Sequence, residues 1–236
     1  MNYAWNWSVL VQSPYLGWLL EGLLTTVWIS LAAWTIALVV GGLLGVVGSL
    51  PGLIQWVTPV YVAVFRNVPL LLQLFLWFFV VPELLPEVAG TWVKRGLPNP
   101  EWWTAVVGIG LFTAARVAVQ VRAGIEAVAT GQLKAALASG LRLGQAYRFV
   151  LLPQAVRVML PPLTSEFLTV FKNSSLALTI GVFEMTAQSR QIESHTFNGF
   201  EAFTAATGAY LTIALLVTFG MRWVEHRLAI PGTRSA

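Results

Sequence analysis

Charged side chains are absent between Glu21 and Arg66. Within that interval the apolar run from Gly22 to Ser49 is long enough to cross a bilayer as one helix, since about 20 residues rising ~1.5 Å each span the hydrocarbon. Leu50-Pro51-Gly52 then reads as a turn. A second apolar stretch, about 58–82, is interrupted at Pro69. Pro82, Pro86, Pro98 and Pro100, with Glu83, Glu87, Lys94 and Arg95, mark 83–101 as a loop. A third stretch, 102–122, carries Arg116. Residues 123–152 are more polar, free of proline and helical in pattern. The fourth stretch, 153–172, contains Pro161-Pro162, Glu166 and Lys172, which predicts a broken helix. A charge-free span over 202–221 is the last. The pattern predicts an all-α polytopic membrane protein, a single domain over 1–236 with five transmembrane helices.

Composition supports lipid as the solvent. Of the 236 residues 57% are hydrophobic and only 10% are charged, against roughly a quarter charged in soluble domains. All acids are Glu. Cysteine is absent, which excludes disulfides and Cys-ligated metals. The net charge of +4 reads as a topology signal and not as a nucleic-acid footprint. Arg122, Lys134, Arg142, Arg148 and Arg157 cluster in 122–157, and Arg222, Arg227 and Arg234 follow the last span. By the positive-inside rule both regions are cytoplasmic and the N-terminus is outside, as an odd number of spans requires. Trp5, Trp7, Tyr15 and Trp18, with Trp102 and Trp103, then fall in an outer interfacial belt. No basic n-region or small-residue cleavage site precedes the first span, so no removed signal peptide is expected.

Residues 131–153 read GQLKAALASGLRLGQAYRFVLLP. Leu133, Ala136 and Leu137 form an i, i+3, i+4 stripe, which predicts a short amphipathic helix. Gly140 and Gly144 can end it and start another piece. A cytoplasmic helix–turn–helix suits a docking surface; a solvated loop helix fits the same pattern.

The spacing adds a resemblance. ABC-importer permeases carry Glu-Ala-Ala, then Gly after three intervening residues, then Ile-x-Leu-Pro after nine more. Lys134-Ala135-Ala136, Gly140, Val150, Leu152 and Pro153 fall in that register. FRNVPLLLQLF (65–75), ARVAVQVRAGI (115–125) and LPPLTSEFLTVFKNSSLALTIG (160–181) resemble further motifs of the polar-amino-acid branch, closest to its glutamate/aspartate permeases. Two positions depart from the pattern: Lys134 stands for the signature Glu, and Val119 for the usual third-span Glu. The resemblance implies a type I ABC-importer permease fold and a bacterial inner-membrane location. It also implies a second permease, expected to differ from this one, as partner, two cytoplasmic ATPase subunits and an external solute-binding protein. The solute implied is a polar amino acid, glutamate or aspartate. ATPase coupling would fall on 131–145 and on Lys134, Ala135, Ala136, Gly140, Arg142, Leu152 and Pro153. No GxxxxGK[ST] motif is present, so this chain is expected to bind no cofactor and to leave ATP to its partner subunits.

Charged residues at membrane depth are the candidate pathway. Arg116 lies six residues before Arg122, ~9 Å deeper by helical rise. Intramembrane Arg is costly without a partner or a wet cavity. It either faces the pathway, with Gln120 one turn on, and attracts a carboxylate, or it forms a structural pair with Glu166 or a carbonyl. Lys172-Asn173-Ser174-Ser175 reads either as an unwound segment meeting a zwitterionic solute or as an external loop. Glu166 is expected to pair with Arg116 or Arg66, and Arg66 to snorkel at the interface. Gly41, Gly42, Gly45 and Gly48 suit close helix packing, within the chain or against a partner. Two other classes compete. A membrane enzyme lacks the usual residue sets, since Asp, Cys and HExxH are missing. An ATP-independent carrier or channel would not require the cytoplasmic helix pair.

Overall fold

The computed structural model describes residues 3, 5–50, 52–128 and 130–228. Pro51 of the expected turn and Arg234 of the basic tail therefore lie outside the described residues. The described chain is all-helical. After a 3-10 turn at Trp7–Val11 come α1 (Tyr15–Ser49), α2 (Val57–Asn67) and α3 (Leu70–Phe75). A π turn at Leu76–Val80 leads into α4 (Val81–Leu84), and α5 (Glu87–Thr91) follows. The long helix α6 (Pro100–Glu126) precedes the short helices α7 (Thr130–Ala138) and α8 (Leu143–Ala146). Then come α9 (Leu152–Ser174), α10 (Met185–Thr196) and α11 (Gly199–Leu228).

Helices α1, α6 and α11 are each long and apolar enough to cross a membrane, and the pair on either side of the break at Val68-Pro69 qualifies as a fourth span if taken together. On this criterion the described residues hold three spans, or four with the bent pair, so length and composition alone do not mark the fifth. The shortfall is α9, whose Arg157, Glu166 and Lys172 make it too polar to qualify by composition. A second expectation, a break in the same helix, does not hold. Pro161 and Pro162 lie inside α9, which continues through them. Adjacent prolines remove two neighbouring N–H groups but fix φ near its helical value. The carbonyls that lose a helical donor are those of Arg157 and Val158, four residues before each proline. A third concerns 83–101, expected as a loop but largely helical. Pro82 sits at the start of α4 and Pro86 caps α5, positions where no backbone donor is needed.

The chain packs as two compact units. The first comprises Met1–Thr35, Val68–Gly110 and Thr169–Leu216; the second comprises Ile36–Asn67, Leu111–Leu168 and Val217–Ala236. In the first, α10 sits against α1: a Cβ on Gly22 would meet Gln188 Cγ at 2.8 Å, and the Met185 amide donates to Thr26 Oγ1 at 3.1 Å. In the second, α1 lies on α6 with almost no side chain between them. A Cβ on Gly41 would meet the Ala114 carbonyl oxygen at 2.6 Å, and one on Gly45 would meet Val121 Cβ at 2.6 Å. Gly48 is equally close to Thr58, whose hydroxyl donates to the Leu44 carbonyl at 2.5 Å. Three of the four run glycines therefore serve contacts inside the chain, while Gly42 faces open space.

Candidate functional site

The polar segment after α6 builds a short, well-capped element in the second unit. α7 carries Lys134, Ala135 and Ala136; Lys134 and Ala135 are exposed and Ala136 is buried. Of the anticipated stripe Leu133 is half-buried and Leu137 exposed, so α7 rests on the protein by one small side chain. Gly140 ends the helix at φ 84°. Its amide donates to the Leu137 carbonyl at 3.0 Å, and the Leu141 amide donates to that of Ala136 at 3.2 Å. That pair of bonds closes a helix C-terminus around a left-handed residue, where glycine carries no Cβ penalty. The next turn starts at Arg142, whose amide donates to Gln145 Oε1 at 2.9 Å while its side chain stays exposed. Tyr147, unremarked in the sequence, is buried and donates its hydroxyl to the Ser49 carbonyl at 3.0 Å. It fixes the segment to the end of α1. Leu152 and Pro153 then open α9.

Also in the second unit, Arg116 of α6 meets Glu166 of α9. Arg116 Nε approaches Glu166 Oε2 to 2.6 Å, with side-chain exposures of 41% and 7%. The N–H is not aimed at that oxygen, since Glu166 Oε2 is buried without a hydrogen bond. The contact is thus Coulombic and short but poorly aligned. Glu166 reaches Arg116, while Arg66 is exposed in the last turn of α2, as an interfacial arginine would be. Gln120 is half-buried one turn from Arg116. Val119 is exposed and lines an open groove of about 320 Å³ with Thr58, Pro59, Val62, Arg122 and Glu126. Arg122 Nε donates to Glu126 Oε1 at 2.7 Å on that rim, so an acid stands one to two turns from the position where Val119 replaces one.

Lys172, Asn173, Ser174 and Ser175 belong to the first unit. Here α9 tightens into a 3-10 helix, Ser175–Ile180, instead of unwinding. The Ser174 and Ser175 hydroxyls turn back to the Phe171 and Lys172 carbonyls at 2.8 and 2.7 Å. Both hydroxyls are thereby engaged by their own helix. Lys172 is exposed and Asn173 half-buried. Gly181, at φ 91°, ends the turn.

The family follows from the chain as a whole. Residues 37–230 match the binding-protein-dependent transport system inner membrane component family. The chain belongs to that family. It is 44% identical, over 98% of both chains, to the glutamate/aspartate import permease protein GltJ of Escherichia coli (strain K12). It is 33% identical to the glutamate/aspartate import permease protein GltK of Escherichia coli O157:H7, over 91% of this chain and 97% of that relative. Among solved structures, an amino acid ABC transporter with histidines aligns over 95% of this chain and 100% of its own, with a TM-score of 0.79 and 28% identity. The MetNI methionine ABC transporter in an inward-facing conformation gives a TM-score of 0.77 at 19% identity, which bears on the fold alone. This inner membrane component therefore has the ABC-importer permease fold and is a transport subunit, not an enzyme.

Two buried acids of this permease went unread in the sequence. Glu184 caps α10, accepting from the Thr186 and Ala187 amides at 3.0 and 2.9 Å and from the Tyr210 hydroxyl at 2.6 Å. Burial pushes its carboxyl above the usual carboxylate range, against those three hydrogen bonds, which pull it down. Glu201, at the start of α11, accepts from the Tyr3 hydroxyl at 2.5 Å and the Asn6 amide at 2.6 Å. That hydrogen bond, with burial and the nearby carboxylate, raises the Tyr3 phenol to about 12. The available signal for Glu184 was an acid immediately before the helical run MTAQS, a cap position.

Proposed function

We propose that this chain is one permease of an ATP-driven importer for acidic amino acids, glutamate and aspartate. A second, different permease, two cytoplasmic ATPase subunits and an external binding protein complete the transporter. The observation that carries the solute class is Arg116. A cation in the middle of a long apolar helix is expensive, and Glu166 occupies only one edge of a side chain that stays 41% exposed. A substrate carboxylate finds there a fixed positive charge whose orientation Glu166 holds. Gln120 and Arg66 are further candidate polar groups of the same unit, and Lys172, Asn173, Ser174 and Ser175 are a separate candidate segment in the first unit. The name of GltJ, at 44% identity, points to the same solutes.

Five spans give the topology: α1, the α2–α4 stretch, α6, α9 and α11, with the N-terminus outside and the C-terminus cytoplasmic. At 23 residues, α9 is long enough, ~35 Å by helical rise, and its charges face protein more cheaply than lipid. The 123–152 segment is then cytoplasmic, and the ATPases dock on 131–145. Lys134 and Arg142 make that surface positive, which calls for an acidic or neutral patch on the ATPase. Nucleotide is held by those subunits and closes them; the short capped α7 passes the movement into α9 through Leu152-Pro153.

The test is reconstitution in proteoliposomes with the candidate ATPase, second permease and binding protein. Uptake of labelled glutamate and aspartate should require all components and ATP, and exceed that of glutamine and asparagine. Gradient-driven flux without the ATPase would overturn the reading. An Arg116→Ala variant that assembles normally and imports acidic solutes with unchanged affinity would remove Arg116 from the pathway.

A further inference from the structure

After the second span ends in α4, α5 and the π turn Trp92–Gly96 fold back on it as a hairpin to which that transport reading gives no role. A Cβ on Gly90 would lie 2.3 Å from the Pro82 carbonyl oxygen, so its two limbs touch through backbone. Lys94 closes the same hairpin by an ion pair with Glu83. One side faces the protein: Leu85, Val93 and Leu97 line a small cavity of about 160 Å³ with Trp103 and Val107 of α6. The other side is apolar and uncovered. Leu84 is 77% exposed, Val88 85% and Trp92 58%, and Val88 and Trp92 lie one helical turn apart on one face.

Water is a poor explanation for that edge, because large apolar side chains gathered on a tight hairpin mark an interaction surface. Its place in the chain identifies the occupant. α4 ends at Leu84 and α6 begins at Pro100, so the hairpin joins two membrane-crossing stretches and cannot leave the interface. The uncovered side of the preceding span, Leu72, Leu76, Phe79 and Val80, continues to Leu84. Lipid that coats this stripe reaches the hairpin without a gap. Trp92 and Trp103, both exposed, are the residue type enriched at that depth.

We propose that the α4–α5 hairpin is an interfacial lipid anchor. Its Leu84–Val88–Trp92 edge inserts at the headgroup–acyl boundary, about 5–10 Å deep as amphipathic interfacial segments do. Glu83, Glu87, Lys94 and Arg95, all exposed, remain among headgroups and water. The anchor sets the depth of the α3–α6 connection independently of which solute is carried.

Since the chain lacks cysteine, Val88→Cys can be labelled alone with an environment-sensitive NBD fluorophore. The full chain is reconstituted in phosphatidylethanolamine/phosphatidylglycerol vesicles, with labelled Arg95→Cys as the aqueous control. The Val88→Cys probe should be blue-shifted, quenched by lipids carrying a shallow nitroxide and several-fold less sensitive to iodide than the control. Leu84→Cys should repeat this pattern, which guards against an artefact of one position. Equal iodide quenching at both sites, with no effect of nitroxide lipid, overturns the anchor. Shielding of Val88 that appears only when the external binding protein is added also overturns it, and makes the edge a protein-docking surface. Neither outcome bears on the uptake assay.

Discussion

Glu166 and Glu184 are both buried acids, one in each packing unit, and the chain treats them in opposite ways. Glu166 receives a charge: Arg116, close but misaligned and itself 41% exposed. Glu184 receives no charge; two amides and a tyrosine hydroxyl, all in good geometry, satisfy it. A fully hydrogen-bonded neutral cage is what a structural acid needs. A short ion pair with an unmet hydrogen bond and an exposed partner is a poor structural device, because its Coulombic gain is offset by desolvation. The difference separates an acid satisfied by neutral hydrogen bonds from one that depends on a single charged neighbour.

The comparison breaks most visibly at Glu184. Removing its side chain by Glu184→Ala leaves three donors unmet in a dry site, at about 1–3 kcal/mol each and not additively, so a loss of about 4 kcal/mol is expected. Thermal melting in nanodiscs measures it, and Glu184→Gln should recover part, since an amide oxygen still accepts. The pH dependence has a definite sign. Because the folded carboxyl is raised above its unfolded value, the native state holds its proton longer. Its contribution is complete below the unfolded value and is lost as pH rises through the folded one. Wild type minus Glu184→Gln should therefore show stability falling with pH above the ordinary carboxylate range, then levelling. A difference that rises with pH would mean that the hydrogen bonds outweigh burial.

Arg116 and Glu166 should respond unequally. Arg116→Ala strands a buried carboxylate, whereas Glu166→Ala leaves an arginine that can turn to water. We expect about 3 kcal/mol for the first, discounted because Arg116 is 41% exposed, and about 1 kcal/mol for the second. Chemical denaturation of the two variants checks the order. Import should rank them the other way round from a purely structural pair: Glu166→Ala, although nearly as stable as wild type, should lose affinity for acidic solutes because Arg116 is no longer oriented. Equal stability losses with unchanged import would make the pair structural and erase the contrast with Glu184.

Legibility in the sequence followed the same division. α1 announces itself because a long uncharged run has few physical solutions besides a membrane helix, and α6 because its apolar stretch is interrupted only by Arg116. Gly140 was readable as a helix end because glycine alone takes φ 84° without strain. Arg116 with Glu166 was readable because opposite charges in apolar stretches must be compensated. Glu184 offered only its cap position before MTAQS, and Glu201 offered nothing, since the tyrosines that meet them, Tyr210 and Tyr3, leave no spacing in the chain. α10 was hidden as well: its buried face, Met185, Gln188, Ser189 and Ile192, is half polar and shows no apolar period. The continuity of α9 through Pro161 and Pro162 contradicts proline propensity, and tertiary context decides such a conflict. The hairpin at 81–97 hid because proline density reads as a loop, when Pro82 and Pro86 in fact sit at helix starts.

A smaller effect sharpens how the second unit holds the helix that carries Arg116 in place. α6, which carries Arg116, is seated on α1 through Gly41 and Gly45, and their neighbour Gly42 offers an internal control. In Gly45→Ala the new methyl would fall 2.6 Å from Val121 Cβ and 2.8 Å from the Ala118 carbonyl oxygen. Both neighbours are buried and belong to a helix that cannot give locally. The helices must separate, at about 1–3 kcal/mol for overpacking. Gly42→Ala meets nothing within 4 Å and should gain up to about 1 kcal/mol of helix propensity. Melting curves of the two single variants should thus move in opposite directions. If Arg116 depends on this seat for its approach to Glu166, Gly45→Ala should also weaken import of acidic solutes while Gly42→Ala leaves it unchanged. A Gly45→Ala permease that is destabilised yet imports normally would show that the cation's position is set by α9 alone, through Glu166.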